Sequence, residues 1–296
     1  MLGAARQFFA ERNVLEVDCC ALSPFAAIDV NIDVISADVS PNMRGYLHTS
    51  PEYAMKRLLA AGSGDIYFLG HVFRQGEIGR LHNPEFTMAE WYRVGMSFET
   101  MIEETAEFIQ LFLGKLPVKQ LSYRKAFELF AGVNYTSDDL FAAARRHQLQ
   151  PDPAWSRSTL QHFLLTHVIE PKLGNQELTV LTDYPPNEAA LARIVEKDNE
   201  PVAERFEIYF RGVELCNGYH ELPDGHELRR RFTADNLERV QAGKPAYALD
   251  EAFLGALGPH FPDCCGVSVG IDRLLLLRHK RSSLNEVLPF SWPQIC

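Results

Sequence analysis

Arg74, Arg80, His82 and Arg93 stand in one short stretch, FRQGEIGRLHNPEFTMAEWYR from Phe73 to Arg93, set among Glu77, Glu85 and Glu90. Groups of this kind bind or polarise anions. The run before the stretch, Ile66–Phe73, is apolar and aromatic, and so is Phe86–Val94. The polar residues between carry Gly76, Gly79, Asn83 and Pro84, so two antiparallel strands joined by a long loop are expected. An arginine at the end of such a strand suits the α-phosphate of a nucleotide, because its planar fork bonds two oxygens and never loses its charge. A solvated hairpin is the plainer reading of a loose Arg…Glu pattern.

A second set of carboxylates lies in ERFEIYFRGVELCNGYHEL, residues 204–222. Arg211-Gly212 reads as a two-residue hairpin turn. Phe210 then opposes Val213, Tyr209 opposes Glu214, and Glu207 opposes Cys216. Glu207 and Glu214 become a diagonal pair on one face, with Cα atoms roughly 7–8 Å apart. Carboxylates so placed can converge on Mg²⁺, which takes one or two carboxylates beside phosphate oxygens and water. Phe206, Ile208, Leu215 and Tyr219 supply the opposite, core-facing side. Strict alternation sends Asn217 and Glu221 away from Glu214; a bulge at Gly218 would turn Glu221 back, and periodicity alone leaves both arrangements open.

Two further stretches complete the chemistry. In His48-Thr49-Ser50-Pro51-Glu52, Ser50 is placed to cap a helix running through Tyr53–Ala61, with Pro51 at its first position. In Gly266-Val267-Ser268-Val269-Gly270-Ile271-Asp272-Arg273, small residues in a strand let a flat ligand approach the backbone. Arg273 opens the helix that follows, within reach of a triphosphate.

Four stretches, SPEYAMKRLL at 50–59, the Phe73–Arg93 string, residues 204–222 and GVSVGIDRLLLL at 266–277, occur in an order that resembles the class II aminoacyl-tRNA synthetases. The form is that of the lysyl enzymes. Their short paralogue, the elongation factor P–lysine ligase family, is more similar still, over nearly the whole chain. The resemblance implies an α+β catalytic domain, an antiparallel sheet of about six to eight strands flanked by helices. It implies one domain over 1–296, with a helical insertion around 122–170. Residues 2–17 match the helix and strand through which such domains form homodimers, although Cys20 stands where the motif normally closes on proline.

The same resemblance implies residue roles. Arg74, Gln75, Gly76 and Glu77 would meet ATP with His82, Asn83 and Phe86, Phe86 stacking on adenine. Glu214, Leu215, Gly270 and Arg273 would complete the nucleotide site, with Glu207 and Glu214 holding Mg²⁺. Arg74 and Arg273 would be the catalytic pair. Ser50, Pro51, Glu52, Glu90, Tyr92, Asn217, Glu221 and Ser268 would hold the amino acid. In the synthetases a glutamate follows two residues after the motif 2 arginine; here that position is Gly76, with Glu77 next. Three acidic residues, Glu52, Glu90 and Glu221, call for a diamino acid, since buried carboxylates without partners are costly. The family prefers (R)-β-lysine to lysine, and its acceptor is a lysine side chain of elongation factor P.

Two other readings remain. A tRNA-charging lysyl enzyme needs an anticodon-binding barrel of roughly 100 residues, for which a chain starting at motif 1 leaves no room. A synthetase-like regulator without catalysis tends to lose Arg74, Glu207, Glu214 and Arg273, all of which are present. ATP–pyrophosphate exchange separates all three.

Around these motifs, positions 2, 5, 8 and 9 predict a helix, and 14–17 a short strand. Ile28, Val30, Ile32 and Val34 alternate as in a half-buried strand. Ser97–Leu113 is an amphipathic helix, Leu178–Leu181 a strand, and 227–242 a charged helix stopped by Gly243 and Pro245. His147, His162 and His167, in the insertion with Trp155, read as structural. The 296 residues are 46% hydrophobic, enough for a large core, and no apolar run approaches the roughly 18 residues of a membrane span. The start, MLGAARQFFAERN, lacks the apolar centre of a signal peptide. Six cysteines without CxxC spacing are expected as reduced thiols of a cytoplasmic protein. The net charge of −10 gives no general pull toward nucleic acid, so tRNA is not an expected partner. Arg145-Arg146 and Arg229-Arg230-Arg231 are candidates for a local basic docking surface.

Overall fold

The computed structural model describes residues 1–295. Its central feature is a nine-stranded, mostly antiparallel sheet. The strands are β1 Leu15–Glu16, β5 Ile66–Phe73, β6 Glu85–Val94, β7 Val118–Ser122, β8 Leu178–Tyr184, β9 Ile194–Lys197, β10 Glu200–Phe210, β11 Val213–His220 and β12 Cys264–Gly270. They run in the order β1-β5-β6-β12-β11-β10-β8-β7, with β9 on the free part of β10. The expected six to eight strands are exceeded because two edge pairs, β1 with β5 and β7 with β8, are added in parallel. A separate sheet pairs β2 Leu22–Ser23 and β3 Ser36–Ser40 with β4 Met43–Leu47.

Alternation in the central strands sends Tyr67, Leu69, Ala89, Trp91, Phe206, Ile208, Val267 and Val269 to one side. There they meet α1 Leu2–Ala10, α3 Phe98–Leu113 and α9 Ile271–Arg278. Ser97 caps α3 by accepting from Thr100 N, and Gly114 ends it at φ 84°. The other side carries α2 Glu52–Ala60, α7 Gly225–Gln241 and α8 Glu251–Ala256 over Ile66, Phe68, Val72 and Met88. Between β7 and β8 lie the short helices α4 Tyr123–Ala126, α5 Leu140–Arg146 and α6 Arg157–Leu164, packed on Leu181, Tyr184, Ala203 and Tyr209 with Trp155 at the margin. His147 and His167 face the backbone carbonyls of Ala131 and Phe163.

The alternating run Ile28–Val34 does not form a strand. Its backbone is claimed by side chains instead. Asp29 accepts from the N–H groups of Asn31 and Ile32, while the fully buried Arg239 donates to the carbonyls of Asp29 and Ile32. Lys244 takes the carbonyl of Val30. A buried guanidinium satisfies several carbonyls at once, so no neighbouring strand is needed.

Candidate active site

The hairpin of β10 and β11 turns at Arg211 (φ 52°) and Gly212 (φ 70°), the left-handed pair of a type I′ turn. Phe210 opposes Val213 and Tyr209 opposes Glu214, as expected, but Glu207 opposes Asn217 rather than Cys216. Leu215 is the extra residue. Leu215 and Cys216 are consecutive, yet both lie in the core, the mark of a bulge. The bulge therefore sits three residues before Gly218. Asn217 and Tyr219 are put on the face that carries Glu207, so Tyr219 leaves the core side assigned to it. The Leu215 side chain is buried, and only its backbone can meet a ligand.

Register then lays a row across four strands: Glu207 opposite Asn217, Asn217 opposite Ser268, and Ser268 opposite Glu90. Glu90 is buried and accepts from Ser50 Oγ at 2.7 Å and from Tyr92 Oη at 2.9 Å. Burial, with Glu52 and Glu221 nearby, pushes its carboxyl up to about 8. Ser50 Oγ also accepts from Glu52 N at 3.0 Å. Helix α2 thus begins at Glu52 with Pro51 at its cap position, one residue later than expected. Glu52 and Glu221 both approach Lys56 Nζ at 2.6 Å. Burial pushes Glu221 up to about 7, held back by Lys56. Gly266 is obligatory here, because a Cβ would overlap the Tyr92 ring and Glu221 Oε1.

The polyanion-binding end is built from the β5–β6 loop and the start of α9. Arg74 lies over the Phe86 ring at 5.0 Å, and its Nη1 is 3.5 Å from Glu77 Oε1. Gly76 takes φ 77°, and Gln75 N donates to Asp33 O. Arg273 Nη1 donates to Glu214 O at 2.9 Å and lies 3.4 Å from Glu214 Oε2. Its Nη2 stands 3.0 Å from His82 Nε2, which requires a neutral imidazole; burial and Arg273 lower the His82 pKa accordingly. Gly270 precedes α9, and a Cβ there would touch only Arg273 Cδ, at 3.9 Å. Asn83 is a brace: its amide donates to Glu85 O and its carbonyl accepts from Trp292 N.

Glu207 and Glu214 share the floor but differ in surroundings. Glu207 accepts from Arg205 Nη2 and Tyr184 Oη, each at 2.6 Å, and from Tyr209 Oη. Glu214 keeps an exposed edge, its side chain 39% accessible, and burial with Glu207 close by raises its pKa. Glu170, absent from the sequence reading, joins them within 3.4 Å of Tyr209 Oη, pushed up to about 7 by burial and by Glu207 and Glu214. Lys56, Arg205, Tyr184, Tyr209 and Gly266 were also missed. Two carried a signal: Lys56 follows Glu52 at i+4 on one helix face, and Arg205 alternates with Glu207 on one strand. The triplet Arg229-Arg230-Arg231 is not a free basic surface, because Glu227 and Glu251 pair with all three.

Comparison with known proteins bears on this geometry. The profile of class II tRNA synthetases (D, K and N) matches residues 1–294. A protein of Haemophilus influenzae (strain PittGG) named elongation factor P–(R)-β-lysine ligase is 40% identical over 98% of this chain and 92% of its own. The chain belongs to this ligase family, on the class II synthetase fold. Proteins of the same name from Pasteurella multocida (41% identical, 98% of this chain, 92% of that one) and Actinobacillus succinogenes (42%, 97% and 91%) are similarly close. Within this family's fold, one sheet face has Glu90 at one end with Glu52 and Glu221 nearby, and Glu207 and Glu214 at the other with Arg74 and Arg273 close to Glu214.

Proposed function

We propose that the protein activates β-lysine or lysine with ATP and transfers it to a lysine side chain of elongation factor P. The observation that carries the reading is one sheet face with an acidic amine pocket at one end and two arginines at the other. Glu52, Glu90 and Glu221 take the ammonium groups, with Ser50, Pro51, Tyr92, Asn217 and Ser268 shaping the pocket. Arg74 lies at the reacting end. The substrate carboxylate attacks the α-phosphorus of ATP, the bond to the β-phosphate bridging oxygen breaks, and pyrophosphate leaves. Arg74 stabilises the charge that grows on the α-phosphate, and Arg273 that on the leaving group. The acceptor amine then attacks the acyl carbonyl, AMP leaves, and an amide remains.

A divalent cation, Mg²⁺ in this reading, fits the floor. Glu214 has one oxygen without a hydrogen-bond partner among the described residues, and Glu207 has three of roughly four lone-pair positions filled. A hard cation that takes one or two carboxylates and otherwise phosphate and water suits such a set. When bound it would neutralise phosphate charge. The reading further includes a homodimer through α1 and β1, one catalytic domain with the helices between β7 and β8 inserted, a cytosolic setting, and no charging of tRNA.

The test is incubation with ATP and labelled β-lysine, offering total tRNA or purified elongation factor P. Label in RNase-resistant protein is the expected result. Label lost on RNase treatment or mild base would assign the protein to tRNA charging instead.

A further inference from the structure

Lys56 is the least expected charge in the molecule. It lies on α2, a turn after Glu52, with its side chain 1% exposed. Its ammonium sits between two carboxylates of the amine pocket, 2.6 Å from Glu52 Oε1 and 2.6 Å from Glu221 Oε2. These are close ion pairs rather than well-directed hydrogen bonds. Glu221 Oε1, in contrast, is buried and has no hydrogen-bond partner among the described residues. A buried carboxylate oxygen left empty costs free energy, so a donor from outside is expected there.

The geometry points to Lys56 as a positioning residue: a built-in ammonium that occupies the deep side of the Glu52–Glu221 pair and leaves only the shallow side to the substrate amines. The inference rests on the reading of this pocket as the amine site and adds what sets its depth and charge. Glu52, Glu90 and Glu221 together carry three negative charges when ionised. Lys56 cancels one, so the pocket is complementary to two ammonium groups, as a diamino acid supplies. Position follows from the same contacts. With Lys56 in place, an incoming amine meets Glu221 Oε1, beside Tyr92 and above Gly266. Without it, the amine can sink between Glu52 and Glu221 and draw the reacting carboxylate away from Arg74.

The KM-against-kcat split distinguishes this role from mere packing. Lys56→Gln is compared with wild type by ATP–pyrophosphate exchange, with β-lysine and lysine varied. A displaced substrate binds well and reacts poorly: kcat falls by about 100-fold, the loss typical of a misplacement of about 1 Å. KM for the diamino acid stays level or falls, and KM for ATP is unchanged. Because Lys56→Gln leaves two buried carboxylates without their cation, Lys56→Gln/Glu52→Gln removes one charge of each sign and serves where the single variant does not fold. Because Glu52 itself binds an ammonium, KM rises in the double variant, and its readout is kcat at saturating diamino acid, expected to fall by the same factor. A variant with wild-type kcat overturns the inference, and so does a loss confined to KM. Wild-type protein inactive with every diamino acid would instead overturn the reading on which it rests.

Discussion

Glu207 and Asn217 face each other across β10 and β11, one position away from where strict alternation sets them. The extra residue, Leu215, is what puts Asn217 on the same floor as Glu207 and Glu214. Glu207 and Glu214 differ in character. Glu207 is enclosed by Arg205, Tyr184 and Tyr209, whereas Glu214 keeps an accessible edge beside Arg273.

Glu207→Gln and Glu214→Gln are therefore expected to differ. Both should slow exchange. Only Glu207→Gln should also unfold more easily, because Arg205 is left as an unpaired, largely buried charge, an effect of about 3–5 kcal/mol. Thermal or urea melts of the two variants check this; equal melting would contradict it.

Gly266→Ala should damage amino-acid binding and leave ATP binding intact. The added methyl overlaps the Tyr92 ring and Glu221 Oε1, and both belong to the amine end. Overpacking of this kind costs about 1–3 kcal/mol, so KM for the diamino acid should rise by about tenfold or more. Steady-state exchange with each substrate varied in turn provides the measurement.

The pocket should titrate in a measurable way. Glu90, pushed up to about 8 by burial and by Glu52 and Glu221, holds its proton at neutral pH when no ammonium is near. Its native-state proton is bound more tightly than in the unfolded chain. The resulting stabilisation is complete below the ordinary carboxylate value near 4.5 and is lost as pH rises from there to about 8. Glu90→Gln should flatten that slope. An arriving ammonium favours the ionised carboxylate, so binding should release protons at pH 7 and tighten as pH rises from 6 toward 8. Calorimetry in buffers of different ionisation enthalpy reads the proton count directly, and heat independent of buffer would contradict it.

Arg74→Ala and Arg273→Ala should each lower exchange by about 10²–10³-fold, the cost of losing a group aimed at developing charge. Neither is in the core, with side chains 23% and 21% exposed, so melting temperatures should stay near wild type. A parallel collapse of stability would show that they act on the fold.

Much of this was legible from residue order. The hairpin of β5 and β6, the Arg211-Gly212 turn and the capped helix α3 each follow from local chemistry that nothing distant overrides. The failures share a cause. The run Ile28–Val34 has the pattern of a strand, but Arg239, some two hundred residues later, takes its carbonyls. The bulge at Leu215 leaves no mark in the hydrophobic pattern, since an extra apolar residue beside Cys216 suits the core either way. Of the triplet Arg229-Arg230-Arg231, only Arg229 has its carboxylate far along the chain, at Glu251, while Arg230 and Arg231 pair with Glu227 one turn earlier. Pairings between distant side chains were invisible; those a helical turn apart, such as Glu52 with Lys56, were available and overlooked.

The most direct test of the proposed reaction is ATP–pyrophosphate exchange by the wild-type protein with β-lysine, lysine, leucine, glutamine and aspartate, with and without Mg²⁺. The carboxylates of Glu52, Glu90 and Glu221 and the arginines at the other end predict metal-dependent exchange with the two diamino acids alone. Exchange supported by aspartate, or by none of the five, would contradict it.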